Sequence, residues 1–252
     1  MEVAAHVDAL EDAGARLVEA ARAAGPDAAV PTCPGWRMRD LLAHVGFVHR
    51  WATAYVRTAL TEMVAEPDEA AILRSAPPDE ERVAWATEGH AALVQALRAA
   101  PPDLECWTFL AAPSPLAMWA RRQAHETAVH AVDAALATGH PGAPFDAELA
   151  ADGVDELLFS FYGRRRPGRA GRHEDAVVGL EATDAPAAWT LRVSADALDA
   201  RPGPGPCDVH VRGAAHDLYL LLWHRRSAEG LEVSGTAAAL DQLVRRRGVT
   251  WQ

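Results

Sequence analysis

The stretch W-A-R-R-Q-A-H-E-T-A-V-H-A-V-D, residues 119–133, lies in a helix predicted to run from about Pro115 to Thr138. His125 and His130 are five residues apart, so about 500° of helical rotation separates them and their side chains point apart. Glu126 and His130 are four residues apart and share one face of the helix. This pair can therefore bind one metal ion, with further ligands supplied by another helix.

Four long helices are predicted for the first part of the chain. Apolar residues from Val3 to Ala21 follow a three- and four-residue spacing, and Gly25-Pro26 ends this first helix. Four helices of this length most simply form an antiparallel bundle. A fifth helix, from about Asp146 to Tyr162, leads out of the bundle. The bundle helices are predicted over about residues 2–24, Trp36–Leu60, the stretch between Pro78 and Pro101, and Pro115–Thr138.

The third metal ligand is expected on a facing helix, and His44 is the best candidate. Trp51 follows His44 by seven residues, and Trp119 precedes Glu126 by seven. With Arg122 four residues before Glu126, the predicted site is walled by tryptophans and flanked by an arginine, which suits an anionic substrate. Arg122 and Glu126 could equally form an ordinary helix ion pair, and a single histidine is more often a structural residue than a ligand.

Composition excludes several classes of function. The 252 residues carry a net charge of −11, which argues against nucleic acid and anionic membranes as partners. All 24 basic residues are arginine, so a Schiff-base lysine and a phosphate-loop lysine are excluded. The three cysteines form no CxxC pair, and neither a signal peptide nor a membrane-spanning segment is recognised. We therefore expect a soluble cytoplasmic protein.

The second part of the chain predicts a small α+β domain. The glycine- and arginine-rich stretch from Gly163 to Arg172 reads as a linker, which gives predicted domains of residues 1–162 and 173–252. Strands with helices segregated towards the end favour an α+β class. Strands are predicted at Ala176–Leu180, Trp189–Val193, Val209–Val211 and Leu231–Val233, and helices at Leu218–Trp223 and Ala237–Val244.

Two motifs resemble the signatures of mycothiol-dependent maleylpyruvate isomerases. The first is Val30–Trp36 followed by Arg39–His44, and the second is Trp119–Asp133. The resemblance implies a DinB-like four-helix bundle joined to a small α+β, sterol-carrier-like domain. It also implies a metal, usually zinc, held by His44, Glu126 and His130. Arg37 departs from the family pattern, which commonly has a hydroxyl residue that could cap the helix there; Arg37 could instead project towards the pocket mouth.

The resemblance further implies a chemistry in which mycothiol is activated as a zinc-bound thiolate. The thiolate would add to a small electrophile, most like the cis–trans isomerisation of maleylpyruvate. Arg122 and Arg225 are expected to hold substrate carboxylates, although Arg225 could instead be a helix C-terminal charge. Trp51 and Trp119 are expected at the cofactor. The alternatives are a mycothiol S-transferase, a metal-binding regulatory module without turnover, and a non-haem iron site.

Overall fold

The computed structural model describes residues 1–63, 74–162, 175–194 and 198–244. It divides into two compact units, Met1–Ala143 and the described residues from Pro144 onward. The predicted linker from Gly163 to Arg172 lies outside the described residues. Over the described part of the chain, we find no helix with the length and apolar character needed to cross a membrane.

The first unit is a helical bundle, as the sequence predicts. Its described residues contain four helices of more than twenty residues each. The first helix packs mainly on the fourth and the second mainly on the third, so each pair buries one apolar stripe against its neighbour. The helices are α1, Val3–Ala24; α2, Met38–Thr58; α3, Asp79–Ala99; and α4, Pro115–Ala137.

Local sequence signals set the ends of these helices. Gly25, with a φ of 78°, ends α1 in a backbone conformation that other residues rarely adopt. At the start of α4, the Ser114 hydroxyl accepts a hydrogen bond from the Ala117 amide at 3.1 Å. At the start of α2, the Asp40 carboxylate accepts from the Arg37 amide at 2.9 Å. Asp40 thus supplies one half of a capping box; a hydroxyl residue at position 37 would have added the other half by accepting from an amide of the first turn, which an arginine side chain cannot do.

The Arg37 guanidinium is exposed and donates to the carbonyl of Asp27 at 2.6 Å, which ties the turn before α2 to the end of α1. The same turn is closed by a backbone hydrogen bond from the Val30 amide to the Trp36 carbonyl at 3.0 Å. The position of Arg37 at a pocket mouth stays a prediction.

The second unit contains a mixed sheet with helices packed on it. The described strands have the order β3-β2-β1-β4-β5, in which β1 and β4 are parallel and the other neighbours are antiparallel. The α+β class is confirmed. The strands are β1, Ala176–Ala182; β2, Ala188–Val193; β3, Leu198–Pro202; β4, Val209–Gly213; and β5, Glu232–Gly235. The helices are α5, Ala147–Asp155, continued by a π-helical segment, Glu156–Tyr162; α6, Ala215–Leu222; and α7, Ala237–Val244.

The residues before the predicted linker belong to the second unit, whereas the sequence analysis assigned them to the first domain. The Trp189 indole N–H donates to Asp155 at the end of α5 at 2.6 Å. The Tyr162 hydroxyl donates to the Leu222 carbonyl at the end of α6 at 2.6 Å. Because these contacts join α5 and the π-helical segment to the sheet and to α6, residues 147–162 pack as part of the α+β unit.

The core of the bundle gives a stability prediction. Leu10 on α1 is 0% exposed, whereas Leu60, just after α2, is 37% exposed. Leu10→Ala is expected to lower the free energy of unfolding by about 2–5 kcal/mol, because it leaves a cavity in packed surroundings. The matched substitution Leu60→Ala is expected to change it by about 1 kcal/mol or less. Urea denaturation measures both, and equal losses would contradict this account of the core.

Candidate metal centre

The structure brings together the three residues that the sequence indicates as metal ligands. His44 lies on α2, and Glu126 and His130 lie one turn apart on α4. The Nε2 atoms of His44 and His130 lie 3.1 and 3.2 Å from the same carboxylate oxygen, Oε1 of Glu126. All three side chains are buried, and one ligand atom from each lies within 4.8 Å of the others.

This donor set fits a divalent cation. Two imidazole nitrogens and one carboxylate oxygen are the ligands of many catalytic zinc sites, in which a fourth position stays open. Zinc binds such atoms at about 2.0–2.2 Å, so donors about 3.4 Å apart can share one ion. The observed separations of 3.1 and 3.2 Å are close to that value. The same donor set also suits ferrous iron.

Arg122 lies at the site, but its guanidinium is committed to Glu126. It donates from NH2 to Glu126 Oε2 at 2.9 Å and is only 1% exposed. The ion pair fixes one carboxylate oxygen on the arginine and leaves Oε1 facing the two histidines. The role of Arg122 as a clamp for a substrate carboxylate stays a prediction.

Asp133 holds the far side of the His130 ring. Its Oδ2 lies 2.9 Å from His130 Nδ1, and the carboxylate is fully buried. The turn before α2 reaches the same carboxylate: the Thr32 hydroxyl donates to Oδ1 at 2.5 Å, and Cys33 Sγ lies 3.5 Å from Oδ2. A carboxylate on the outer nitrogen of a ligand histidine orients the ring and raises the basicity of the metal-binding nitrogen.

These contacts shift the pKa values of two ligands in opposite directions. Burial alone would lower the pKa of His130, but its hydrogen bonds to Asp133 and Glu126 outweigh burial and raise the pKa to about 9. Burial alone would raise the pKa of Glu126, but the hydrogen bonds to His130 and His44 and the charge of Arg122 hold it well below its ordinary value. Without a metal, His130 is therefore protonated at neutral pH and donates to both carboxylates.

Trp36 is a site residue that the sequence analysis did not identify. Its ring centroid lies 5.2 Å from that of His44 and 6.5 Å from that of His130, where the two rings stack at 21°. The resemblance motif contains this residue, but nothing in the spacing alone aims its ring at two histidines.

Trp51 and Trp119 lie in an aromatic cluster with Tyr55, Trp107 and Phe109. The ring centroids of Trp51 and Trp119 are 5.1 Å apart, and the Trp119 indole N–H donates to the Trp107 carbonyl at 3.0 Å. Trp119 is fully buried and packs in this cluster, and its contact with a cofactor stays a prediction. Trp51 is partly exposed, and its role at the cofactor stays a prediction.

Three further polar residues, among them the predicted site residue Arg225, lie outside the ligand cluster. Arg225 is in the second unit, where its guanidinium donates to the Trp223 carbonyl at 2.9 Å. His49 is buried in the bundle, and its Nε2 lies 2.9 Å from the Thr127 hydroxyl. Burial is the main reason why the pKa of His49 lies well below its ordinary value, and the nearby His90 lowers it further. His125 is fully buried and is not part of the His44 cluster.

Comparison with known proteins identifies the family. A family model described as the mycothiol maleylpyruvate isomerase N-terminal domain matches residues 7–135, and the MDMPI C-terminal domain model matches residues 148–242. The chain belongs to the mycothiol-dependent maleylpyruvate isomerase family. It is therefore an enzyme, of the isomerase or thiol-transferase kind. No curated protein matches the chain significantly.

Two crystal structures of known proteins are similar in fold to this chain. One is a histidine-to-alanine variant of the mycothiol-dependent maleylpyruvate isomerase, 15% identical with a TM-score of 0.62. The other is the mycothiol-dependent maleylpyruvate isomerase, 14% identical with a TM-score of 0.61. Each match covers 93% of both chains. The likeness supports the fold, a helical bundle followed by an α+β domain.

The raised pKa of His130 predicts how metal affinity depends on pH. A cation can bind Nε2 only after the ring loses a proton, so zinc affinity is expected to rise about tenfold per pH unit from pH 6 to about 9 and then to level off. Asp133→Asn removes the carboxylate that raises this pKa, so the zinc affinity of this variant is expected to level off at a lower pH. Competition with a coloured chelator measures both, and an affinity independent of pH between 7 and 9 would contradict the assignment.

Proposed function

We propose that this enzyme uses mycothiol, held as a thiolate beside a divalent cation, to attack a small electrophilic substrate. The reaction proposed is most like the cis–trans isomerisation of maleylpyruvate, and the two solved relatives are named as mycothiol-dependent maleylpyruvate isomerases. The observation that carries the proposal is the convergence of His44, Glu126 and His130 on one point. Zinc is the cation that we propose, because its catalytic sites keep a position open for a fourth ligand.

The charges around the three ligands support an anionic fourth partner. Glu126 and Asp133 each contribute one negative charge, and the buried Arg122 contributes one positive charge. Adding a divalent cation, with both histidines neutral, leaves one positive charge in a buried place. A single anion balances it, and a thiolate is such an anion.

Each residue of the cluster has a separate task in this proposal. A bound divalent cation lowers the pKa of a thiol beside it, and so supplies the nucleophile. Glu126 holds Oε1 towards the cation position because Arg122 fixes its other oxygen. Asp133 keeps the Nε2 atom of His130 directed at that position. The ring of Trp36 packs on both imidazoles and shields them from water.

The proposed isomerisation needs no group from the protein that forms a bond with the substrate. The bound thiol would supply a nucleophile that adds reversibly to the conjugated cis double bond, with the keto oxygen taking up the electron pair. Rotation about the resulting single bond and departure of the same thiolate would leave the trans isomer. Arg225 stays a prediction for contact with a substrate carboxylate.

A mycothiol S-transferase is the second candidate function. It would use the same activated thiol but keep the new carbon–sulfur bond. One observation keeps it open: Arg122, the arginine of the cluster, is tied to Glu126, so the described cluster itself does not select a dicarboxylate. A metal-binding module without turnover would hold the cation but show no affinity for thiols.

Substitution of the ligands tests the cation site. His44→Ala, Glu126→Ala and His130→Ala are each expected to lower zinc affinity by more than about 100-fold, because even residues that only orient a ligand contribute 10–100-fold. Helix content in the circular dichroism spectrum is expected to change little. His49→Gln is the matched control, since His49 is a buried histidine on the same helix as His44 and outside the cluster. Unchanged zinc content in all three alanine variants would contradict the site.

Product analysis separates the two candidate functions. With zinc-loaded enzyme, mycothiol and maleylpyruvate, we expect the trans isomer to accumulate while the concentration of free thiol stays constant. A stable thiol conjugate, found by mass spectrometry with the thiol consumed in equal amount, would replace the isomerase with the transferase. Neither product from zinc-loaded, folded enzyme would contradict both.

A further inference from the structure

A second set of possible metal ligands lies on the opposite side of the His130 ring. It comprises Cys33, His130 and Asp133, which we call the turn cluster because Cys33 lies in the turn before α2. One ligand atom from each lies within 4.8 Å of the others. Cys33 Sγ lies 3.5 Å and His130 Nδ1 2.9 Å from the same oxygen, Asp133 Oδ2. Sulfur, nitrogen and oxygen therefore surround one point that the first ligand set does not reach.

The spacing of these atoms suits a tetrahedral cation. Metal bonds of about 2.3 Å to sulfur and 2.0–2.2 Å to nitrogen or oxygen place ligand atoms about 3.3–3.6 Å apart. The sulfur–oxygen separation of 3.5 Å already matches, and the nitrogen–oxygen separation of 2.9 Å requires a small opening. Thr32 holds the other oxygen of Asp133 in place. Cys33 is half-buried, which gives an ion a way in from solvent.

The ligand types of the turn cluster also suit a divalent cation. Asp133 supplies a carboxylate oxygen, and Cys33 supplies a sulfur, which binds metals as the thiolate. Together these two ligands can offset the two positive charges of such an ion in buried surroundings.

We propose that Cys33, Asp133 and the Nδ1 atom of His130 form a second cation site, which selects thiophilic ions such as Cd²⁺ and cannot be filled together with the first. Selection follows from the thiolate, a soft ligand that the His44, Glu126 and His130 set lacks. Exclusion follows from the imidazole, since a neutral ring has one nitrogen without hydrogen. The ring can therefore bind a cation through Nε2 in the first site or through Nδ1 in the second site, but not through both at once. The thiol chemistry proposed above is not required for this inference.

Cadmium titration of the chelator-stripped full-length protein tests the proposal. We expect one equivalent of Cd²⁺ to bind and to produce the ultraviolet absorption of cadmium–thiolate bonds. Cys33→Ser is expected to lose this absorption and at least about 100-fold in Cd²⁺ affinity, while keeping the zinc affinity of the original protein within about threefold. Cys33→Ala, also checked for helix content, guards against a folding defect of the serine variant.

Two control variants separate the sites. His44→Ala removes a ligand of the first site alone, so it is expected to lose zinc affinity and to retain the cadmium–thiolate absorption. This result also distinguishes failure of the proposed function from failure of the second site. Cys207→Ser is expected to change nothing, although Cys207 is the exposed cysteine. Absorption that survives Cys33→Ser, or that disappears in Cys207→Ser, would overturn the site.

Competition tests the exclusion. Saturating zinc is expected to weaken the apparent Cd²⁺ affinity in proportion to the zinc concentration, and added Cd²⁺ is expected to release zinc with a stoichiometry of one. Independent binding of one Zn²⁺ and one Cd²⁺ to the same chain would overturn the exclusive use of His130.

Discussion

The site depends on one buried carboxylate, Glu126, which would be costly to bury without partners. Three side chains meet that cost: Arg122 takes Oε2, and His44 and His130 share Oε1. A charge without partners in such surroundings would take up a proton, but this network instead holds the pKa of the carboxyl well below its ordinary value. The same partners that keep Glu126 ionised also bring two imidazole nitrogens within reach of one cation.

The geometry of a single helix explains most of this arrangement. Arg122, Glu126 and His130 follow one another at four-residue intervals, so they lie on one face of α4. Asp133 adds a three-residue step on that face and meets the outer nitrogen of the ring. The helix thus carries ligands and the groups that orient them. Among the described residues, this site also draws His44, Thr32, Cys33 and Trp36 from another part of the chain.

Local spacing therefore predicted part of the site, and long-range packing decided the rest. The Glu126–His130 pair, four helices, and the strands β1, β2, β4 and β5 could be predicted because their signals repeat over a few residues. The contact between Thr32 and Asp133 joins residues 101 positions apart, for which no spacing rule exists. Strand β3, with the sequence L-D-A-R-P, is built mostly from residue types that are depleted in strands, aspartate, alanine and proline, and is held by pairing with β2. The burial of Trp119 was missed because a seven-residue interval fixes a helix face but not what packs against it.

The His130 ring connects the first cation site with the turn cluster, because both of its nitrogens face carboxylates. Glu126 Oε1 lies 3.2 Å from Nε2, and Asp133 Oδ2 lies 2.9 Å from Nδ1. Two acceptors on a single ring raise its pKa to about 9, and a cation on either side must displace a proton. The turn before α2 affects which side of the ring a cation can bind, because Thr32 and Cys33 both contact Asp133. Loss of both contacts would therefore act on the metal centre through the orientation of one imidazole, although neither Thr32 nor Cys33 is a ligand of the first site.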